Sequence, residues 1–244
     1  MTPKFESALQ NLAEAGLNIF ASTPIKSLPP EILKDIELEG IDVSRAATIV
    51  ILGNGGGTLW SKLSKPIDPA QHPFDQYTQR QILNFNDQYL HDTELQLLYP
   101  HPKWTIPLQR LGRLLNIARP SKLGLDIHPN FGPWFAYRGA FLTSVELPPT
   151  NMRSNLNDVE SPCESCATTP CISHCPSGAV QKDKFQLSTC SDFRLSESSP
   201  CFDRCLARMA CPVGREHQYS LEQFQYHMLR PAHLKRLALY GTKK

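Results

Sequence analysis

The chain has almost no net charge, +2 at pH 7 over 244 residues. That excludes a general surface for polyanions, although it leaves local patches open. No apolar run approaches the ~18 residues of a membrane span. The N-terminus, MTPKFESALQNLAEAGLNIF, carries Glu6 and Glu14 and lacks the charged-then-apolar layout of a secretion signal, so the expected location is cytoplasmic. An internal repeat at solenoid period is also missing. Cysteine is absent from residues 1–162 and from 212–244. The N-terminal part must therefore stand on an ordinary apolar core.

What is present is distributed unevenly. Hydrophobic residues make up 41% and charged residues 20%, which argues against wholesale disorder. The 21 prolines exceed the usual share of about 5% and predict many loops and few long helices. All eight cysteines fall between Cys163 and Cys211, which marks that segment as a separate small unit. In a cytosolic chain such clustering favours metal or redox chemistry over a disulfide framework.

Periodicity predicts a first helix with Phe5, Leu9, Leu12 and Leu17 near one face, ended by Gly16. LNIFASTPIKSL is strand-like but broken by Pro24, and Pro29-Pro30 opens a short helix. Ala46 to Leu52 (AATIVIL) is a continuous apolar run suited to a buried strand. It leads into Gly53-Asn54-Gly55-Gly56-Gly57 and a helix start at Thr58. Helical spacing returns from Pro73 to Leu90, then LQLLYP reads as a strand and PLQRLGRLLNIA as a helix. LGLDIH and WFAYRGAFLTSVEL read as a strand pair across the turn Pro129 to Pro133. The expected fold is therefore α+β, with an α/β domain over 1–150 and a small cysteine-rich module over 151–244. Pro148 to Pro162 is the linker candidate. Ser220 with Gln223 forms a capping box for a C-terminal helix that Pro231 kinks or ends. The basic residues beyond Glu222 read as a solvated tail.

The cysteines run Cys163-x2-Cys166-x4-Cys171-x3-Cys175-Pro176, then Cys190, then Cys201-x3-Cys205-x5-Cys211-Pro212. Two groups, each ending in Cys-Pro, match the logic of two-cluster ferredoxins, in which the Cys-Pro cysteine ligates the other cluster. On that crossover Cys163, Cys166, Cys171 and Cys211 hold one [4Fe-4S] cluster. Cys175, Cys190, Cys201 and Cys205 hold the second. The competing reading is two structural zinc sites of four thiolates each. His174, between Cys171 and Cys175, is expected to be a polar neighbour that tunes a cluster through a hydrogen bond.

These segments, LGLDIHPNFGPWFAYRGAFLTSVELPP, CESCATTPCISHCPSGAV, LSTC and PCFDRCLARMACPVG, occur in an order that resembles the epoxyqueuosine reductases and, more distantly, the reductive dehalogenases. The resemblance is specific from about Leu123 to Gly214. It implies an N-terminal nitroreductase-like α/β domain that binds cobalamin, a ferredoxin-like module that carries two [4Fe-4S] clusters, and electron flow from the nearer cluster to the cobalt. A family aspartate that donates a proton has no counterpart in the matching stretch, Trp104-Thr105-Ile106-Pro107-Leu108. No catalytic residue is assigned.

Weaker signals surround a cofactor. Gly53, Gly55 and Gly56 lie where a strand meets a helix, so their N–H groups could cradle a phosphate; a bare turn explains them equally well. His128 and Arg138 flank the strand pair and could face a cofactor cleft, and Gly139 would let a flat ring approach the backbone. Asp75, Tyr77 and Arg80 are acid–base candidates only if their helix lines a pocket. Two functions follow. One is an oxidoreductase in which a donor protein feeds the clusters, the clusters feed a cobalamin or flavin, and the substrate is a small molecule or a tRNA. The other is a non-enzymatic electron carrier or docking protein.

Overall fold

The computed structural model describes residues 3–63, 68, 72–92, 94–150 and 161–241. The linker candidate Pro148 to Pro162 lies mostly outside them, as do Lys243 and Lys244. The chain forms two compact units. The first comprises Met1–Ser64, Pro73–Ala118 and Ala136–Asp158; the second comprises Lys65–His72, Arg119–Phe135 and Val159–Lys244. The second unit thus takes in a stretch well before residue 151.

The first unit is mixed α/β. Helix α1 (Pro3–Glu14) buries Phe5, Ala8 and Leu12 at helical spacing. It stops at Gly16, whose φ is +90. There the Gly16 N–H bonds Ala13 O and the Leu17 N–H bonds Leu12 O, the pairing of a left-handed helix end. Gly16 is required twice over, because a Cβ there would sit 2.6 Å from the Leu59 Cα. Strand β1 (Ile19–Pro24), helix α2 (Pro30–Leu38), strand β2 (Thr48–Gly55) and the short helix α3 (Thr58–Lys62) follow. Next come α4 (Pro73–Phe85), a π-helical turn at Asn86–Leu90, β3 (Gln96–Tyr99) and α5 (Leu108–Leu114).

All eight residues of β2 are buried, which is why its sequence shows no alternation. β1 pairs with it antiparallel, from Ile19 opposite Gly53 to Pro24 opposite Thr48. A later strand, β6 (Phe135–Thr143), completes an open sheet of order β1-β2-β6-β3. α4 lays Phe74, Thr78, Ile82 and Phe85 inward. Phe20, Phe85 and Phe141 form a chain of rings with centroids 6.3 and 6.4 Å apart.

The expected strand pair of LGLDIH and WFAYRGAFLTSVEL does not form. Only Asp126–Ile127 is extended as β5, and it pairs with β4 (Arg119–Pro120) in a separate two-stranded sheet. Leu123 and Leu125 instead pack with Cys171, Val180 and Ala207. The apolar spacing of this segment serves that core rather than a sheet face.

The second unit is built from short pieces: β4, β5, α6 (Pro170–Ser173), α7 (Leu187–Arg194) and α8 (Leu206–Met209). Two C-terminal helices close it, α9 (Leu221–Leu229) and α10 (Pro231–Ala238). The Ser220 hydroxyl accepts the Gln223 N–H at 3.2 Å and caps α9. Pro231 does more than end that helix: it opens the next, as proline readily does at a first helical position. Trp134 is fully buried, edge-on to Tyr219 and Phe224. Beside it, Gly132 and Gly214 have φ of +58 and +63. A Cβ on Gly132 would strike the Val213 carbonyl, and one on Gly214 would strike the Phe131 carbonyl. The turn at Phe131-Gly132 therefore meets the chain just after Cys211-Pro212 backbone to backbone. No helix among the described residues is long and apolar enough to cross a membrane.

Two stability predictions follow from this packing. Asp92 is buried, and its carboxylate accepts from Thr143 Oγ1 at 2.6 Å, Ser144 N at 2.8 Å, Ser144 Oγ at 2.9 Å and Glu94 N at 2.9 Å. Burial pushes the carboxyl up, but these hydrogen bonds outweigh it and hold it below its ordinary value. Asp92→Asn should cost about 2 kcal/mol in denaturant unfolding at neutral pH. The wild-type advantage should be complete above about pH 4 and should shrink as pH falls through the lowered folded value. In the second unit, Gly214→Ala should lower thermal stability by about 1–3 kcal/mol from backbone strain alone. Ser220→Gly, which costs only a few tenths of a kcal/mol at a cap, is the mild reference in the same melts.

Candidate metal centres

Cys163, Cys166, Cys171 and Cys211 line one apolar pocket, together with Leu123, Ile127 and Val213. The first three come from a single tight loop. Ser161 sets its start: its hydroxyl donates to Pro120 O at 3.1 Å and accepts the Cys163 N–H at 3.2 Å. Cys171 sits on α6, which Pro170 opens. Cys211 arrives from far along the chain and is held by the glycine contact described above. Burial pushes the Cys171 thiol up, and Cys163 and Cys166 push it further. Burial also raises Cys211, with Cys163, Cys171 and Cys166 adding to it.

The other four thiols act on one another in the same way. Burial first, then Cys205, raise Cys190 to about 11, with Cys175 and Cys201 contributing. Cys205 is raised by burial and by Cys201 and Cys175. Cys175 differs. Burial pushes it up, but the Ser177 hydroxyl and the N–H groups of Val180, Ala179 and Ser177 reverse the direction and lower it. The turn that follows Cys175 thus favours its thiolate form relative to an ordinary thiol. Cys205 begins α8, and its sulfur accepts the Arg208 N–H at 3.4 Å.

Two guanidinium groups stand beside these sulfurs, and the sequence reading missed both. Arg194 is buried at the end of α7 and feels Cys190, Cys205 and Cys201. Arg208 lies over the rings of Trp134, Tyr219 and Phe224, 4.8–5.3 Å from their centroids. It donates to Pro133 O and feels Cys205 and Cys211. Their positions four after Cys190 and three after Cys205 place each within one helical turn of a cysteine. That spacing was the available signal.

Sulfur is a strong ligand for soft metals, and four thiols lining one pocket are a donor set suited to a metal centre. Among the described residues, no three His, Cys, Asp or Glu side chains converge so as to hold a single metal ion. His174 is exposed, and its Nδ1 lies 2.9 Å from Pro170 O, the carbonyl of its own helix.

Of the residues expected around a cofactor, Arg138 meets the glycine segment through Asn54, and the positions of the glycines are already engaged. Gly53 and Gly55 are part of β2, not of a loop. The Gly55 N–H already donates to Asn18 Oδ1 at 2.7 Å. Gly56 makes the turn, with φ +73, but α3 behind it has only five residues. At Gly139, the space a Cβ would occupy is taken by Ile82 and Thr78 of α4. That glycine serves helix-on-sheet packing. Arg138 lies over the Phe74 ring at 4.3 Å and donates from Nε to Asn54 Oδ1. His128 belongs to the second unit. Its Nδ1 accepts from Asn130 N and Phe131 N, and burial followed by His217 lowers its pKa to about 4. It is a neutral ring that shapes the 128–132 turn. Tyr77 donates to Ala15 O at 3.0 Å, which ties it to the end of α1.

No family model matches the chain, and no curated protein matches it either. Solved structures do. An epoxyqueuosine reductase with an epoxyqueuosine-modified tRNA-Tyr stem loop aligns over 91% of this chain and 68% of its own, at a TM-score of 0.53 and 13% identity. Epoxyqueuosine reductase from Streptococcus thermophilus aligns over 88% of this chain and 67% of its own, at 0.54 and 16%. The enzyme from Bacillus subtilis aligns over 89% and 67%, at 0.51 and 13%. At these identities the likeness is one of fold: the chain is a mixed α/β protein with an open sheet, arranged as in the epoxyqueuosine reductases.

Proposed function

We propose that the chain is an iron–sulfur oxidoreductase whose second unit carries two [4Fe-4S] clusters. One is held by Cys163, Cys166, Cys171 and Cys211, the other by Cys175, Cys190, Cys201 and Cys205. What supports this reading is that Cys211 lines one pocket with Cys163, Cys166 and Cys171, while Cys175 acts electrostatically on Cys190 and Cys205. A zinc site needs four thiolates meeting on one ion, whereas a four-iron cluster needs four thiolates on separate irons. The crossover at the Cys-Pro cysteines and the likeness to the epoxyqueuosine reductases both favour clusters.

When bound, the clusters would supply one-electron transfer. The chain's own part is to provide thiolates, keep water from the apolar pocket of the first quartet, and set the local charge. Raised thiols must lose their protons on assembly, so cluster loading releases protons and is favoured at higher pH. An electron donor protein would deliver the electrons.

The reading extends to a cobalamin or a flavin in the first unit, a nitroreductase-like domain by this account. What supports it is the family resemblance and the shared fold. Gly53, Gly55 and Gly139 do not fit as its cradle, because their backbone and side positions are already engaged. No step is therefore derived through that group, and no proton donor is assigned. The modified tRNA bound by one structural neighbour makes a tRNA stem loop the first substrate to test, ahead of a small molecule.

Anaerobic reconstitution of the full chain should give about eight irons and about eight acid-labile sulfides per chain, with about four of each left in Cys166→Ala or Cys205→Ala. About two zinc ions and no sulfide would overturn the cluster reading. Titration of the reconstituted protein with hydroxocobalamin and flavin mononucleotide tests the first unit. A spectral shift with either supports the oxidoreductase, and binding of neither leaves an electron carrier.

A further inference from the structure

Arg194 is only 6% exposed. A buried cation is ordinarily matched by an anion, yet no carboxylate among the described residues pairs with this one. Its donors go to neutral acceptors. Nε reaches Cys201 O at 3.1 Å, and one terminal nitrogen reaches Phe202 O and Met228 O at 3.2 Å each. The other lies 3.0 Å from His233 Nε2. Guanidinium can only donate, so that imidazole nitrogen is unprotonated. Three carbonyls and an imidazole fix where the charge sits without neutralising it. The groups of opposite sign that it does feel are the sulfurs of Cys190, Cys205 and Cys201.

Building on the two-cluster reading above, we infer that Arg194 is the resident counter-charge of the cluster held by Cys175, Cys190, Cys201 and Cys205. It makes that cluster the higher-potential one of the pair.

The reasoning is electrostatic. Taking up one electron adds one negative charge to a cluster and its thiolates. A fixed cation in a poorly polarisable interior stabilises the reduced form more than the oxidised form, and so raises the potential. Hydrogen bonds to ligating sulfur act in the same direction. Sulfur-directed N–H groups occur in both quartets, at Cys175 and Cys205 and at Cys171 and Cys211; the full charge of Arg194 is what the second quartet has beyond them. Arg208 feels one sulfur of each quartet, Cys205 and Cys211, so it helps both and does not set the difference. Arg194 does. An electron delivered by a one-electron donor and shared between the clusters would then rest on the second. Arg194 acts through the ligating sulfurs and is a positioning residue.

The test is a redox titration of the reconstituted full chain, followed by electron paramagnetic resonance, with iron counted in each sample. Wild type should show two waves. Arg194→Gln should lower the upper wave by at least tenfold in the reduction equilibrium, about 59 mV for one electron, and move the lower wave less than threefold. Arg194→Lys, which keeps the charge, should hold the upper wave within threefold of wild type. Arg204→Gln removes an arginine paired with Asp203 and should leave both waves in place. An upper wave unmoved by Arg194→Gln, or two waves that fall together, overturns the inference. Should the glutamine variant lose iron, the lysine variant decides: a tenfold fall in its upper wave overturns the charge account, and a wave within threefold supports it. A wild-type protein with no cluster signal is a different failure, which removes the cluster reading itself.

Discussion

Mutual repulsion among sulfurs is the constraint on which the second unit turns. Eight thiols in 49 positions would, if ionised, place many negative charges in a small and partly apolar space. In the protein on its own, burial and neighbouring sulfurs push the Cys171, Cys190, Cys205 and Cys211 thiols up. On the proposed reading, bound clusters would reverse that balance by supplying positive charge beside the thiolates. The short helices α6 and α8, of four residues each, have no stability of their own. They read as mountings for sulfur, supported by small apolar clusters around Leu123 and Trp134.

The two units contrast in what holds them. In the first, β2 is buried on both faces and the rings of Phe20, Phe85 and Phe141 fill the space beside the sheet. Its buried carboxylate, Asp92, is satisfied by four hydrogen bonds. In the second, cations stand where a larger core would place leucines. Arg194 is tied to carbonyls and Arg208 to aromatic faces and Pro133 O. Such groups are costly to bury without partners of opposite sign, which is the same observation, seen from the arginines, as the crowding of the thiols.

Much of this was legible in the sequence, and the failures have identifiable causes. α1, α4 and the C-terminal capping box were readable because local spacing and local hydrogen bonds determine them. β2 is readable as a run of apolar residues, but its glycines look like the start of a turn. They continue the strand because Asn18 pairs with both the N–H and the carbonyl of Gly55, extending the ladder by a side chain. LGLDIH misled for a tertiary reason: its leucines are spaced for contact with the cysteine loops, and only two of its residues are extended. Cysteine spacing suggested the proposed quartets through the Cys-Pro crossover of two-cluster ferredoxins. For the arginines the one local signal is their spacing from Cys190 and Cys205, and burial of the guanidinium depends on tertiary packing.

The assignment of Arg119–Phe135 to the second unit has a consequence for how the chain is made. This stretch leaves the ribosome well before the cysteines, yet its partners, the Cys171 loop, Val213-Gly214 and the α9 aromatics, come later. Between the two, the chain must lay down β6, the strand that joins β2 to β3 in the other unit. During synthesis the β4–β5 ribbon and Trp134 must wait, with apolar surface showing, until Phe224 has emerged. Neither unit is a contiguous block of sequence, so no single cut after residue 150 would release either one whole. The two are interleaved in time as well as in order, and the last helices supply the side chains that end the wait.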